Sequence, residues 1–325
     1  VLTPSLTAFI FSLNYPPPIF LPCKSYFYRM FDFRLKVFHT VAKRLSFTKA
    51  AEELFISQPA VTKHIHGLEE QLGLALFERI GNRIRLTQGG RLLQQYASQI
   101  FLLYGNMEYD LHQLKQDSGG LLNIGASSTI AQYYLPGVLA RFNQEHPAIR
   151  TSLINGNTEQ IEQALLDKDI EVGIIEGHSR NPQLKYTELA KDEIALICNA
   201  RFKPPGKGSL TNEDLRKIPL LVREHGSGTL EVIVNELKKL ELKLTDLNVL
   251  MHMGSSEGIK SYLREAPCAA FLSLRAVQAE LDSGALKVLP VKQFKLIRKY
   301  HFIHPQGQQH KLAQLFMKFA KKQSD

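Results

Sequence analysis

The sequence lacks tryptophan and has only 3 cysteines in 325 residues. Cys23, Cys198 and Cys268 show no paired spacing, which argues against a disulfide framework or a zinc site and favours a reducing compartment. Cys198 and Cys268 lie in apolar stretches and are expected to be buried, with a redox-sensing thiol as the alternative. Metal-ligand clusters and Walker-type phosphate loops are also missing, so we predict no metal site and no cofactor.

Acidic residues are in short supply as well. The chain has 31 Asp and Glu against 40 Lys and Arg, a formal net charge of +9. This excess favours a polyanionic partner but does not name one. The hydrophobic share of 44% and charged share of 22% are typical of a globular protein, and the length suffices for two or three domains.

The beginning of the sequence lacks the positive charge of a secretory signal. In residues 1–29 the first charged residue is Lys24, and prolines would interrupt any long helix. This stretch is therefore a poor signal or membrane anchor, and we predict no membrane association. We interpret residues 1–29 as a disordered extension or a mis-assigned start.

Residues 46–87 begin with two short helical patterns separated by a tight turn. The first places Phe47, Ala50 and Leu54 on one apolar face. In the second, Ser57 is suited to the N-cap and Pro59 to the first turn. Two helices with such a connection predict a helix-turn-helix. The polar side chains of the second helix would then be available to DNA bases and phosphates in a major groove. The candidate contacts are Ser57, Gln58, Pro59, Thr62, Lys63 and His64.

A basic hairpin is predicted directly after these helices. The turn dipeptide Gly81-Asn82 is flanked by arginines in near alternation with apolar residues. On the exposed face of a small wing, Arg79 and Arg83 would contact DNA, with Arg83 on the backbone or in the minor groove. The alternative interpretation is that these arginines only provide solubility.

The run from Phe33 to Leu93 resembles the winged helix-turn-helix of LysR-type transcriptional regulators over its whole length. The motifs SFTKAAEEL, SQPAV, LEEQLG, LFER and RLTQGG occur in the family's order and spacing. The resemblance implies that the second helix is the recognition helix. Gly89 departs from it, since relatives have Ala or a similar residue there, and should weaken the next helix by about 1 kcal/mol.

Two helices flank this region. One is predicted from about Asp32 to Leu45, and a longer one, capped by Thr87, reaches about Gln116. The long helix carries an apolar seam at alternating spacings of three and four, which indicates dimerisation; packing on its own wing domain is the alternative. The seam consists of Leu93, Tyr96, Ile100, Leu103 and Met107.

Beyond a hinge at Ser118-Gly119-Gly120, strands alternate with helices, including one helix from about Ile130 to Glu145. This alternation predicts parallel sheets in an α/β domain. It resembles the family's effector-binding domain, a periplasmic-binding-protein-like pair of α/β subdomains with crossovers near Asn199 and Val291. We therefore divide the chain into a winged helix-turn-helix (30–89), a linker helix (90–117) and an effector-binding domain (118–325), with subdomain I at about 120–198 and 292–325 and subdomain II at about 199–291.

Small polar residues follow the predicted strands where parallel sheets bind ligands. Each is also a plausible N-cap, but several at equivalent ends favour a cleft for a small anionic or polar ligand. By match to the family's cleft segments, the predicted contacts are Ser127, Thr129, Asn157, Thr158, Ser227, Thr229 and Ser255. Glu176 and Arg223 either reach this cleft or form a structural ion pair. In place of the Gly-rich segment common in relatives, Pro267 and Cys268 stand near the cleft mouth.

We predict a transcriptional regulator rather than an enzyme. The cleft segments resemble the branch with regulators of sulfur assimilation and carbon fixation. The expected partners are a pseudo-palindromic promoter, a small-molecule effector and further copies of the chain in a homodimer or homotetramer, with RNA polymerase as an additional candidate. The expected location is the cytoplasm, at the nucleoid. The alternative is a solute-binding protein or stand-alone ligand-binding module. An enzyme is disfavoured because Ser227 lies beside His225 without a GxSxG motif or an orienting acid.

Overall fold

The structure is a computed structural model that describes residues 32–81, 83–114, 119–177, 180–205, 208–292, 296–307 and 310–323, without the side chains at 112 and 113. The predictions on residues 1–29, on Asn82 and on Ser118 lie outside these residues. The chain forms two compact units that divide between Gln99 and Ile100. None of the helices in the described residues is long and apolar enough to cross a membrane.

The N-terminal unit is a three-helix cluster with a hairpin. Its elements are α1 (Phe33–Arg44), α2 (Phe47–Leu54), α3 (Gln58–Leu72), β1 (Phe77–Ile80), β2 (Arg83–Leu86) and the first part of α4 (Gln88–Leu114). The side chains of Asp32, Ser46 and Ser57 cap α1, α2 and α3. The apolar stripes meet in one core, which includes Val37, Phe38, Val41, Ala50, Ala51, Val61, Ile65 and Leu68. The helical pattern predicted from the sequence is therefore confirmed in this unit.

The start of α4 is fixed by Thr87, as its sequence position predicts. The Thr87 hydroxyl accepts a hydrogen bond from the Gly90 amide at 3.0 Å and donates one to the Ala75 carbonyl at 2.7 Å. Further along α4, Tyr96 and Leu103 of the apolar seam are 58% and 54% exposed. About half of each of these two large side chains is therefore exposed to solvent in the single chain.

The C-terminal unit is built on a mixed sheet, in which the described residues form nine strands. The strands are β3 (Gly120–Ser127), β4 (Ile149–Gly156), β5 (Val172–Glu176), β6 (Leu184–Asn199), β7 (Leu220–Arg223), β8 (Val249–Met253), β9 (Ala269–Ser273), β10 (Leu286–Leu289) and β11 (Leu296–Pro305). Their order is β4-β3-β5-β11-β6-β9-β7-β8, and β10 pairs with β6. The pairs β3–β4, β3–β5, β7–β8 and β7–β9 are parallel, whereas β6 and β11 run antiparallel to their neighbours.

Helices cover the sheet. They are α5 (Ser128–Tyr133), α6 (Leu135–Glu145), α7 (Thr158–Leu166), α8 (Asn212–Lys217), α9 (Gly228–Lys239), α10 (Ser256–Glu265), α11 (Leu274–Asp282) and α12 (Lys311–Lys322). The single helix predicted from Ile130 to Glu145 is wrong, because the chain breaks at Tyr134 and restarts as α6. Pro136 in the first turn of α6 explains the break, since proline has no N–H to donate to the carbonyl four residues earlier, here that of Gln132, and its ring clashes with that carbonyl.

The crossing strands β6 and β11 hold the two halves of this unit together. β6 pairs with β11 up to Ile194 and from Ile194 onward with β9. The change of partner thus lies within β6, before the crossover position expected near Asn199. We refer to the part with β3, β4 and β5 as subdomain I and to the part with β7, β8 and β9 as subdomain II. Separate apolar cores lie under each part.

Candidate functional site

The first candidate site is the polar side of α3. The apolar side of this helix, with Val61, Ile65 and Leu68, is buried in the core. The opposite side begins at the N-terminus and is exposed at Ser57, Gln58, Pro59, Thr62 and Lys63. Gln58 donates from Nε2 to the Thr62 hydroxyl at 3.0 Å, so two of these side chains form one polar edge. The predicted contacts therefore share a single accessible surface at the start of the helix.

His64 differs from the other predicted contacts on α3. Its ring is half-buried and meets the Phe33 ring edge-on, with 5.2 Å between the ring centroids. This contact ties α3 to α1, so His64 has a packing role that the sequence did not indicate. It lies at the margin of the exposed surface.

The hairpin places its arginines as the alternating pattern predicts. β1 and β2 pair antiparallel, with Arg79 opposite Ile84 and Ile80 opposite Arg83. Arg79 and Arg83 are exposed, while the Arg85 guanidinium is 2.8 Å from the Glu78 carboxylate. Arg79 and Arg83 thus lie at the tip of the wing, where a polyanion can reach them.

The second candidate site lies where strands β3, β4, β7 and β8 end. Each of the predicted polar segments provides the N-cap residue of a helix: Ser127 for α5, Asn157 for α7, Ser227 for α9 and Ser255 for α10. The side chains of Asn157 and Ser255 make the capping hydrogen bond, whereas those of Ser127 and Ser227 do not. The capping interpretation thus accounts for two of these four side chains and leaves the other two for a different role.

Glu176, at the end of β5, is the centre of this site. It is 2% exposed and accepts hydrogen bonds from the hydroxyls of Ser127 and Thr229, the latter at 3.2 Å. Thr158 donates to the Glu176 backbone carbonyl at 2.9 Å. Three hydroxyls that we predicted as ligand contacts therefore converge on one residue of the chain itself.

A buried ion network continues from Glu176 across both crossing strands. The Arg298 side chain is fully buried on β11, with Nη1 3.2 Å from Glu176 and Nη2 2.8 Å from Asp192 on β6. Nη1 also donates to the Thr229 hydroxyl at 2.6 Å, and Ser273 donates to Asp192 at 2.9 Å. Burial alone would lower the pKa of Arg298, but the two carboxylates raise it above its ordinary value. The guanidinium thus remains charged and joins residues from both subdomains.

The two sides of the cleft touch elsewhere too. The Asn157 side chain donates to the His225 carbonyl at 3.3 Å, and the Glu159 amide donates to the Gly226 carbonyl at 3.3 Å. At another point, the Tyr133 hydroxyl of α5 donates to Glu257 of α10. Subdomain I and subdomain II are therefore closed on each other around the strand ends.

Glycine allows this close approach. A Cβ added to Gly228, the first residue of α9, would lie 2.1 Å from the Glu176 carbonyl oxygen. A side chain at this position would push α9 away from the end of β5. The N-terminus of α9 thus packs directly against the residue at the centre of the site.

Arg223 does not reach this centre. It is 2% exposed and binds Glu224 through Nε and Nη2, at 2.8 and 2.9 Å. Its Nη1 donates to Ser256 at 3.4 Å, which connects β7 to the start of α10. The sequence did not decide whether Glu176 and Arg223 reach the cleft or form structural ion pairs. In the structure, Glu176 lies at the centre of the cleft and Arg223 forms a structural ion pair.

Known sequence families match both candidate sites. The bacterial regulatory helix-turn-helix protein, lysR family, matches residues 33–91, and the LysR substrate binding domain matches residues 115–325. The chain is also 34% identical to the HTH-type transcriptional regulator YeiE of Escherichia coli. This similarity extends over 275 residues, which are 83% of this chain and 90% of that protein. The chain belongs to the LysR family. It is a DNA-binding transcriptional regulator with an effector-binding domain.

Other LysR relatives are similar over comparable lengths. The chain is 30% identical to the regulator CysL of Bacillus subtilis, over 83% of this chain and 89% of that protein. It is also 30% identical to a probable RuBisCO transcriptional regulator of Thalassiosira pseudonana, over 83% of this chain and 90% of that protein.

Solved structures of LysR regulators share the fold. Full-length OxyR of Pseudomonas aeruginosa matches with a TM-score of 0.68 at 20% identity, over 90% of this chain and 94% of that one. CbnR in complex with its target DNA matches with a TM-score of 0.58 at 19% identity, over 90% of this chain and 99% of that one. The regulatory domain of Synechocystis CcmR, in complex with 2-PG, matches with a TM-score of 0.58 at 23% identity, over 63% of this chain and 98% of that one.

Sequence reasoning missed several residues of the cleft. Arg298, Asp192, Tyr133 and Glu257 were not predicted, although each contacts a residue from another element there. Arg298 lies in a strand that also carries Lys299, His301 and His304, so no local pattern distinguished it. Its partners are far away in the sequence, so the spacing of residues could not reveal the network.

Proposed function

We propose that the exposed side of α3 reads the bases of a promoter in the major groove. The contacts are Ser57, Gln58, Pro59, Thr62 and Lys63, with His64 at the margin and Arg79 and Arg83 of the wing on the DNA backbone. The main support is that the polar residues at the start of α3 are accessible while its other side forms the core. Side-chain donors and acceptors at the N-terminus of such a helix can meet base edges, and the arginines supply the attraction to phosphates.

A titration of the full chain with labelled DNA tests this proposal. The probe is a duplex from directly upstream of its own gene, compared with a duplex of random sequence. We expect a preference for the upstream duplex, and binding weakened roughly tenfold by Lys63→Ala or Arg83→Ala, with a salt dependence reduced by about one unit in slope.

Lys238→Ala is the matched control for this titration, because it removes one exposed cation from α9 in the other unit. It should bind like the wild type. Equal binding to both duplexes, with no effect of the α3 and wing substitutions, would refute the assignment of this surface.

For the cleft, we propose a small anionic or polar effector at the N-termini of α5, α7, α9 and α10. The proposed contacts are Ser127, Thr129, Asn157, Thr158, Ser227, Thr229 and Ser255. Because Glu176 already accepts hydrogen bonds from Ser127 and Thr229, an effector that uses these hydroxyls has to replace those bonds. Ser227 is 4% exposed and its side chain does not cap α9, so it is the contact best placed to serve a ligand without losing a structural role.

Thermal unfolding with added compounds tests the cleft. The panel contains 2-PG, inorganic phosphate and sulfate, and a compound that binds only the folded state raises the unfolding midpoint. We expect Ser227→Ala to keep the midpoint of the unliganded protein and to lose the increase. Ser152→Ala, on the exposed side of β4, should retain it. An increase that persists in Ser227→Ala would exclude Ser227 as a contact.

We also propose that the regulator acts in the cytoplasm, at the nucleoid, as a homodimer or homotetramer on a pseudo-palindromic site, with RNA polymerase as a further partner. The half-exposed Tyr96 and Leu103 of α4 support a second copy packed along this helix. Leu103→Glu should therefore lower the molar mass in light scattering. An unchanged mass would move the contact to another surface.

A further inference from the structure

Phe55, in the turn between α2 and α3, is the most exposed of the large apolar side chains in the described residues. Its side chain is 94% exposed. Its neighbours Leu54 and Ile56 both pack against the core of the N-terminal unit, whereas Phe55 does not belong to that core. The residues on either side of Phe55 therefore contribute to the core, whereas the Phe55 ring is exposed to solvent.

The backbone at Phe55 is also unfavourable for this residue. Phe55 ends α2 with φ 54° and ψ 40°, in the left-handed region, and its amide donates to the carbonyls of Ala51 and Glu52. Glycine and asparagine are the residues that adopt this conformation most readily at the end of a helix. Phenylalanine is thus poorly suited to this position in both its conformation and its exposure, and packing within the N-terminal unit does not explain its presence.

The location of Phe55 supplies a reason for its presence. Only Ile56 separates it from Ser57, the N-cap of α3, and both Ser57 and Gln58 are exposed. In a helix-turn-helix, the start of the second helix is the part that contacts base edges. The ring is therefore continuous with the surface proposed above to bind DNA, where it would be the large apolar group beside polar and cationic ones.

We propose that Phe55 packs against the carbon surface of bound DNA and strengthens binding to the operator. The DNA offers two such surfaces, the C5-methyl group of thymine and the carbons of deoxyribose. The inference rests on the proposed function, since it places Phe55 at the edge of the same interface. It adds a large apolar ring to a set of contacts in which Pro59 is otherwise the apolar member.

Leu45 is a matched control within the same unit. It ends α1 in the left-handed region, with φ 43°, and is 48% exposed. It precedes Ser46, the N-cap of α2, rather than the N-cap of α3. Exchange to asparagine relieves the same backbone conformation at both positions, but only Phe55 adjoins the proposed DNA surface.

The experiment compares full-length wild type, Phe55→Asn, Phe55→Tyr and Leu45→Asn in titrations with the labelled upstream duplex and in thermal unfolding. We expect Phe55→Asn to bind roughly tenfold more weakly while its unfolding midpoint stays the same or rises. Phe55→Tyr keeps the ring and should bind within about twofold of wild type. Leu45→Asn should bind like the wild type.

A duplex with uracil in place of thymine identifies the surface. If the thymine methyl group is the contact, the wild type binds the uracil duplex more weakly than the thymine duplex, whereas Phe55→Asn binds the two duplexes equally. If deoxyribose is the contact, the wild type binds the two duplexes equally, and Phe55→Asn binds each of them more weakly than the wild type does.

The inference is overturned if Phe55→Asn binds as tightly as wild type, or if its weaker binding accompanies a smaller molar mass in light scattering, which would make Phe55 a contact between copies. Wild type that binds upstream and random duplexes equally would instead refute the proposed function, and this inference with it.

Discussion

The two units place the same kinds of side chain in opposite environments. On α3, the hydroxyl and amide groups predicted to bind a partner are exposed, and the Thr62 hydroxyl bonds to Gln58 within its own helix. In the cleft, Thr229 is 3% exposed and contacts both Glu176 and Arg298. A polar residue at the start of a helix therefore has one role when it faces water and another when the chain closes over it.

This difference sets the cost of substitution. An exposed polar side chain exchanges water for a partner, so its loss affects binding and leaves stability nearly unchanged. A buried one has already lost its water, and removing its partner leaves an uncompensated group inside the protein. Substitutions should consequently separate binding from stability in the N-terminal unit and couple them at the cleft hydroxyls that bond to Glu176, those of Ser127 and Thr229.

The largest effect is expected at Arg298. Arg298→Met removes the buried cation between the carboxylates of Glu176 and Asp192, so that Asp192 is left with the half-exposed Arg275 at 3.7 Å, and we expect a loss of about 3–5 kcal/mol in the free energy of unfolding. Urea denaturation of the wild type and the variant measures it.

Lys299→Met is the control on the same strand. Lys299 pairs with Glu188 at 2.7 Å, but the two side chains are 52% and 44% exposed, so its removal should cost less than about 1 kcal/mol. Similar losses in both variants would show that the buried network does not stabilise the closed cleft.

The next largest effect sharpens the comparison within the N-terminal unit, at two adjacent glycines of α4. A Cβ at Gly90 would lie 2.1 Å from the Leu76 carbonyl oxygen, so Gly90→Ala should destabilise the protein by about 1–3 kcal/mol. Around Gly89 the nearest atom is 3.7 Å away, and Gly89→Ala should stabilise it by up to about 1 kcal/mol. Thermal unfolding of the two variants checks this; effects of the same sign would contradict it.

A smaller effect should appear in the pH dependence of stability. Burial lowers the pKa of His310, the N-cap residue of α12, below its ordinary value of 6.5. The unfolded chain therefore binds the proton more tightly, so this contribution to stability is complete above about pH 6.5 and is lost as the pH falls. His310→Gln should lose less stability between about pH 7.5 and 5.5 than wild type, as measured by unfolding. Equal losses would exclude His310 as a source of acid sensitivity.

The smallest expected effect concerns redox sensing. Cys198 and Cys268 are fully buried, and burial raises the pKa of the Cys198 thiol to about 11 and that of Cys268 above its ordinary value. Both thiols should remain protonated and unreactive. In a Cys23→Ser variant, hydrogen peroxide should leave DNA affinity unchanged; a clear change would restore the redox-sensing alternative.

The sequence was most informative where structure is local. The caps Ser57 and Thr87, and the apolar stripe of α3, are encoded within a few residues, and the structure confirms them. The strand ends of the C-terminal unit were also predictable, because apolar strands alternate with helices and end in small polar residues.

The centre of the cleft was less accessible to prediction. Glu176 meets Ser127, Thr229 and Arg298 only because four distant segments converge, and a hydroxyl that binds a ligand looks the same in the sequence as one that binds a carboxylate. The reversal of β6 and β11 relative to the parallel strands likewise depends on long-range pairing. These features arise from tertiary contacts rather than from local patterns.

The most direct test of the two-unit interpretation joins both sites in one titration. DNA affinity of the full chain for the upstream duplex is measured with and without the compound that raises its unfolding midpoint, in wild type and in Ser227→Ala. We predict that the compound changes the affinity of wild type for DNA and leaves that of Ser227→Ala unchanged, because binding at the two sites is linked. A compound that stabilises the wild type but leaves its DNA affinity the same would contradict control of DNA binding from the cleft.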